Sequence, residues 1–326
     1  MGHSQHRYRT PPRINNADGK LRTVGFELEF AGLTLDEASA AVRQALHGEV
    51  STATAAEQKI TVEGLGEFGV EVDWDFLKRL AQQHQARHYE LSLLSDTASL
   101  LVPVEVVCPP IEITALWRLD QLVTKLRQAG AKGTDNSLLA AYGVHVNAEI
   151  PELSAQVIDA FLKAFCLLQW WLVKTHKVNL TRRITPYVDL YPDRYLRQVI
   201  SAREPALAQI IDDYLDHNPT RNRALDMLPL FSELDAERVT ATVEDLRIKA
   251  RPTFHYRLPN CLIDESDWSL AESWNTWCIV EELAARPEDL ACLCDEFLLH
   301  WRPAFGVEEA AWINRIDQWL SESGLA

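Results

Sequence analysis

The chain has 326 residues, 47% apolar and 24% charged, a balance that supports a globular protein with a sizeable core. Its net charge of -15 argues against nucleic acid or an anionic membrane as partner, because both recruit basic surfaces. That length accommodates two modest domains or one large domain with a helical annex.

Residues 1–22 are polar, with Arg7, Arg9, Arg13 and a Pro11-Pro12 pair, and read as a flexible tail without the apolar core of a signal peptide. Val24, Phe26, Leu28 and Phe30 then alternate with Glu27 and Glu29, the two-residue period of a half-buried strand. Thr34 to Leu46 predicts a capped amphipathic helix. Lys59 to Trp74 predicts a hairpin joined at Gly64-Leu65-Gly66, with Phe68, Val70, Val72 and Trp74 interleaved with Glu67, Glu71 and Asp73. A helix over Asp75 to Arg87 and a strand over Leu100 to Val107 follow, the latter carrying Glu105 between valines and leading through Pro109-Pro110 to Glu112.

Another helix runs from about Ile113 to Gly130, where glycine supplies a left-handed cap, and residues 130–137 form a loop. The strand Leu139 to Ile150 interleaves Tyr142, Val144, Val146 and Ala148 with Gly143, His145, Asn147 and Glu149. Pro151 is expected to open a long helix to about Lys174; its apolar run, Phe161 to Val173, is interrupted by Lys163 and Gln169 and too short to span a bilayer. Residues up to Ala250 read as mostly helical pieces: Ile184 to Pro192, Asp193 to Ala202 and Pro205 to His217. A strand returns at Pro252 to Leu258, with Phe254, Tyr256 and Leu258 alternating with His255 and Arg257; helices close the chain over Trp268 to Ala285, Pro287 to Trp301 and Val307 to Ser323. The sum is an α+β architecture, a mostly antiparallel sheet with helices on its apolar face and a helical C-terminal half.

The wet faces of these strands carry Glu, Asp, His, Asn and Arg where an ordinary solvated face carries Thr, Ser, Lys and Gln. Two carboxylates one pleat apart repel unless a cation sits between them. Glu27, Glu29, Glu105 and Glu112 offer oxygen ligands that suit a hard cation, magnesium or manganese. Zinc would call for imidazole and thiolate, and these faces offer only His145 and His255. His84 and His88 lie one helical turn apart, but Gln85 stands where a zinc protease motif has glutamate, so they read as solvated. The glycines of Gly64 to Gly69 fit G-x-G-x-x-G in letters only, since a strand follows them and not a helix. Phosphate contacts therefore fall to metal and to Arg251, Arg257, Arg221 and Arg223. The six cysteines lack a framework spacing, which places the chain in the cytoplasm with reduced thiols. The ten tryptophans sit at helical spacings and read as core.

The order of Gly25-Phe26-Glu27-Leu28-Glu29-Phe30, then Val104-Glu105-Val106-Val107-Cys108-Pro109-Pro110-Ile111-Glu112, then Gly143-Val144-His145-Val146-Asn147 resembles the carboxylate–amine ligases of the glutamine synthetase and glutamate–cysteine ligase superfamily. Asn218-Pro219-Thr220-Arg221-Asn222-Arg223-Ala224-Leu225-Asp226-Met227-Leu228-Pro229 makes the amidoligase branch most similar. The resemblance covers about Thr23 to Ala285 and implies a glutamine synthetase-type catalytic domain over residues 23–285, with a helical insertion at about 151–250 and C-terminal helices over 286–326 packed on it. It implies ATP with Mg2+ or Mn2+, small-molecule or peptide carboxylate and amine substrates, and an acyl-phosphate intermediate. Glu27, Glu29, Glu105 and Glu112 would hold metal; His145, Arg251 and Arg257 would act on the reacting phosphoryl group; Arg221, Arg223, Asn147 and His255 would bind the nucleotide. Asn147 stands where the family often has a second histidine, and Glu71 and Asp73 are left without an assigned role. Two readings of other classes stand beside this one. A metal-dependent hydrolase or phosphoesterase would use the same carboxylates to activate water without consuming ATP, and a catalytically silent homologue would only bind a ligand. The substrates, the general base and the oligomeric state are not legible.

Overall fold

The computed structural model describes residues 7–72, 103–134, 142–178, 188–303 and 305–326. The predicted helix at Asp75 to Arg87, the start of the strand at Leu100, the loop at 135–137, residues 139–141, the piece at 184–187, and Asp73, Trp74, His84 and His88 lie outside them. The chain is α+β and divides into two compact units: Met1–Tyr8, Thr23–Val146 and Pro259–Glu272 form the first, and Arg9–Arg22, Asn147–Leu258 and Ser273–Ala326 the second.

In the first unit, strands β1 (Thr23–Phe30), β2 (Glu49–Ala53), β3 (Glu57–Val62), β4 (Gly66–Val72), β5 (Val104–Val107) and the start of β7 (Val144–Glu149) hydrogen-bond in the order β2-β3-β4-β5-β1-β7, and the short β6 (Ile111–Glu112) pairs with β1. Alternation decides the faces. Val24, Phe26, Leu28, Phe30, Ile60, Phe68, Val70, Val104 and Val106 are buried, while Glu27, Glu29, Glu71 and Glu105 are only partly so. Helix α1 (Leu35–Leu46) lies against β3, β4 and β5 and against α2 (Asp120–Ala129). Its start is fixed by a reciprocal capping box, in which the Glu37 N–H donates to Thr34 Oγ1 at 3.3 Å and the Thr34 N–H donates to Glu37 Oε2 at 2.9 Å.

The predicted hairpin forms, turning at Gly64 with φ of 67°, and Gly130 caps α2 with φ of 110°. Two details differ from the sequence reading. The edge strand β2 escapes the period rule because all five of its residues are exposed, which leaves no apolar face to recognise. The helix expected from Ile113 begins instead as a 3-10 turn, Ile113–Leu119, and becomes α-helical at Asp120.

The second unit contains the remainder of β7, the antiparallel pair β8 (Leu225–Asp226) and β9 (Thr253–Tyr256), and helices α3 (Ala155–Thr175), α4 (Asp193–Ser201), α5 (Leu207–His217), α6 (Leu228–Leu234), α7 (Ala236–Thr242), most of α8 (Leu270–Ala284), α9 (Pro287–His300) and α10 (Glu309–Glu322). The two-residue strand β8 lies in a stretch read as helical. Helix α3 starts four residues after Pro151, because Ser154 accepts the Val157 N–H and so takes the cap. By length and composition α3 could cross a membrane. Here it is the core helix of its unit, buried from Phe161 to Leu172 and contacted by α4, α9 and α10. Most of the described tryptophans are core, as expected, but Trp117 is 50% exposed and Trp301 only partly buried. Trp274 and Trp277 are fully buried, and Phe254 stacks on Phe161 at 4.6 Å and lies 5.4 Å from Trp277.

Residues 9–22, expected to form part of a flexible tail, are held in this unit by specific bonds. Trp274 Nε1 donates to the Arg9 carbonyl at 2.8 Å, and Arg22 is buried against Glu281 in a two-point fork of 2.7 and 2.8 Å. Arg22 also donates to the carbonyls of Glu149 and Arg13, and Trp277 Nε1 donates to Glu281 at 2.9 Å. Every polar atom of that ion pair has a partner, which is the condition for burying it without a large penalty.

Candidate metal and anion sites

Register in the first unit lines up acids. Glu29 faces Glu105 across β1 and β5, Glu105 faces Glu71 across β5 and β4, and Glu71 faces Glu57 across β4 and β3. Four adjacent strands thus carry glutamate in one cross-strand row. Like charges directly opposite one another destabilise a sheet, so such a row is a reason to look for a cation.

His145 on β7 closes the row. Its Nδ1 lies 2.7 Å from Glu27 Oε2 and its Nε2 lies 3.6 Å from Glu29 Oε1, while Glu29 Oε2 accepts the Gly143 N–H at 2.9 Å. Donor atoms of Glu29, Glu105 and His145 fall within 4.8 Å of one another. A neutral imidazole that donates from Nδ1 to Glu27 turns a lone pair toward the Glu29 carboxylate. A cation held by Nε2, Glu29 and Glu105 resolves that electrostatic conflict, and two carboxylates with one imidazole suit magnesium or manganese. The residues present therefore fit a divalent metal. Burial first, and the charge of Glu27 second, push the pKa of the Cys108 thiol up.

Among the predicted metal ligands, the structure brings Glu29 and Glu105 together and sets Glu27 against the same histidine. Glu112 lies elsewhere. It is exposed and pairs in register with Thr23, two pleats along β1 from Glu27.

The second unit gathers the predicted basic set. Arg251 Nη2 donates to Asn147 Oδ1 at 2.7 Å and its Nε to Thr253 Oγ1 at 3.1 Å, so the arginine and the asparagine are held as a pair. Arg257 follows β9, its N–H donating to the Ala224 carbonyl at 2.9 Å and its Nη1 to the Arg221 carbonyl. Burial first, and the charge of Arg257 second, lower the pKa of Arg221. Two guanidinium groups with one partly buried in the field of the other make a region where an anion is welcome. Arg223 differs, because its two terminal nitrogens donate to the carbonyls of Leu190 and His217 at 3.0 and 3.2 Å. It ties the loop after α5 to the chain before α4.

His255 is almost fully buried, with Nδ1 at 3.3 Å from Asp226 Oδ2. Asp226 was not legible as a site residue: it stands in a two-residue strand, too short for any period to appear. Glu57 was missed as well, since the alternation of β3 carries only two clearly apolar positions, Ile60 and Val62.

A family profile described as "Putative amidoligase enzyme" matches residues 20–279, which include every residue of both groups. No curated protein and no solved structure matches the chain.

Proposed function

This chain belongs to that amidoligase family, and from that premise we propose that it is an ATP-dependent carboxylate–amine ligase working through an acyl phosphate on a glutamine synthetase-like sheet. The observation that carries the reading is the convergence of Glu29, Glu105 and His145 within 4.8 Å, a donor set for a hard cation in a chain of this family. When bound, magnesium or manganese would neutralise charge on the ATP phosphates as an acid's carboxylate approaches the γ-phosphate. Glu29, Glu105 and His145 would hold it, with Glu27 fixing the histidine ring by its 2.7 Å contact at Nδ1. Arg257 and Arg221, in the second unit, would suit anionic groups of the nucleotide or the acid substrate by their charge. Arg251, paired with Asn147, supplies a further positioned guanidinium for a carboxylate or phosphate. The carboxylate oxygen would bond to the γ-phosphorus as the bond from that phosphorus to the bridging oxygen breaks and ADP leaves. An amine then attacks the acyl carbon, the C–N bond forms, the bond from that carbon to the phosphate oxygen breaks to release phosphate, and the amine's proton leaves to a base.

The test is ADP release coupled to a reporter, with magnesium and a panel of amino acids, peptides and polyamines. Release that requires both an acid and an amine is expected, and Glu29→Ala should lower it by about two to three orders of magnitude while the protein stays folded. Turnover of phosphoesters without ATP would overturn the reading in favour of a hydrolase, and unchanged turnover in Glu29→Ala would remove the metal-site assignment.

A further inference from the structure

The buried pair of Asp226 and His255 says more than nucleotide binding requires. The two residues are direct register partners on β8 and β9, and their side chains are 0% and 2% exposed. Asp226 divides its oxygens between two tasks. Oδ1 accepts the Leu228 N–H at 3.0 Å, closing the turn that starts α6, and Oδ2 faces His255 Nδ1 at 3.3 Å. An ionised carboxylate is an acceptor only, so the imidazole must offer it an N–H from Nδ1. A neutral ring with its proton on Nδ1 has its lone pair on Nε2 and cannot donate from that atom to a phosphate oxygen.

We propose that Asp226 is a positioning residue that holds His255 with the proton on Nδ1, so that Nε2 serves as a ligand to a divalent cation instead of a donor to phosphate. A carboxylate behind a metal-binding imidazole fixes the tautomer and the ring plane and raises the basicity of the ligating nitrogen. The proposal rests on the reading above only in taking a hard divalent cation as the partner, and it changes the role of His255 from nucleotide contact to cation ligand. A merely structural role for Asp226 would stop at the turn before α6.

Asp226→Asn separates the two roles. The amide oxygen still accepts the Leu228 N–H, but an NH2 group now faces Nδ1, which must become an acceptor and drive the proton to Nε2. With selectively 15N-labelled histidine, wild-type His255 is expected to show a bare Nε2 and a protonated Nδ1, and the variant the reverse. Manganese affinity, read by the loss of free-ion EPR signal, is expected to fall about 10- to 100-fold in the variant. A protonated Nε2 in the metal-free wild type, or unchanged manganese affinity in folded Asp226→Asn, overturns the proposal. Should that variant not fold, His255→Ala with wild-type manganese affinity overturns it as well. Neither readout uses ATP, so a chain that binds manganese as stated but releases no ADP would sink the ligase reading and leave this one standing. A ligase whose His255 is protonated at Nε2 would do the opposite.

Discussion

Arg22 with Glu281 in the second unit, and Glu27, Glu29, Glu105 and His145 in the first, are both groups of ionisable side chains held on rigid backbone, yet their accounts of charge differ. The arginine and glutamate are matched in number, joined by a two-point fork and surrounded by carbonyl and indole partners. The acid row has three carboxylates and one imidazole that, while neutral, supplies no positive charge, and Glu71 and Glu57 extend it across two further strands. The carboxylates gathered on β1 and β5, with His145 beside them, form instead a donor set that would suit a divalent cation. Matched charge in the one cluster builds the fold, and the carboxylate-rich donor set of the other suits a cation.

The largest effect expected from that contrast is on stability. Glu281→Ala leaves Arg22 buried with two of its donors unanswered, and should destabilise the second unit by about 3–5 kcal/mol, the range for breaking a buried pair by removing one partner. Denaturant unfolding monitored by tryptophan fluorescence measures it, since Trp274 and Trp277 sit in that core. A loss below about 1 kcal/mol would mean that the pair is only as useful as a surface bridge and would end the comparison.

The acid row should respond in the opposite way, to a cation more than to truncation. Manganese at a hundredfold excess over its dissociation constant should stabilise the protein by about 2.7 kcal/mol, the value for any ligand bound to the folded state alone. Calorimetric melting with and without manganese reads this. Glu105→Gln should remove most of the gain, and it should do so without lowering the stability of the metal-free protein, because the substitution also relieves the repulsion from Glu29 and Glu71 that register enforces. A variant that is as much stabilised by manganese as the wild type would show that Glu105 is a bystander on a wet face.

These two clusters were unequally legible in the sequence, and the reason is geometric. The glutamates of β1 and β5 stand in strands with four and two buried partners at period two, so their facing follows from alternation alone. What alternation cannot supply is register. That Glu57 joins the row, and that Glu112 sits two pleats along β1 from Glu27, depends on which residue lies opposite which, and only the hairpin turn and the pairing of β6 fix this. Arg22 and Glu281 are separated by more than 250 positions and each is flanked by unremarkable neighbours, so no local pattern announces their pairing. The same holds for Asp226 and His255. Long helices such as α3, α9 and α10 were readable because several turns of apolar spacing reinforce one another; the four-residue offset at the start of α3 arose because Ser154 caps more effectively than Pro151 begins.

The smallest effect concerns charge that is matched locally and in the open, at the capping box of α1. There the Thr34 N–H, and then its hydroxyl, hold the Glu37 carboxyl below its ordinary pKa. A carboxyl with a depressed folded-state pKa adds stability that is present above its unfolded value and lost as the pH falls through its folded value. Glu37 is well exposed, so solvent screens most of this and the contribution stays small. Thr34→Ala removes the hydroxyl that accepts the Glu37 N–H and should lower stability by about 1 kcal/mol at neutral pH. Because the Thr34 backbone N–H survives the substitution, part of the acid dependence should survive with it, and Glu37→Gln should remove that remainder. Urea unfolding of the three proteins between pH 3 and 7 measures both differences. If Thr34→Ala and wild type diverge as the pH falls, instead of drawing together, the hydroxyl is not acting through the ionised carboxylate, and the cap is a steric feature of the turn after β1.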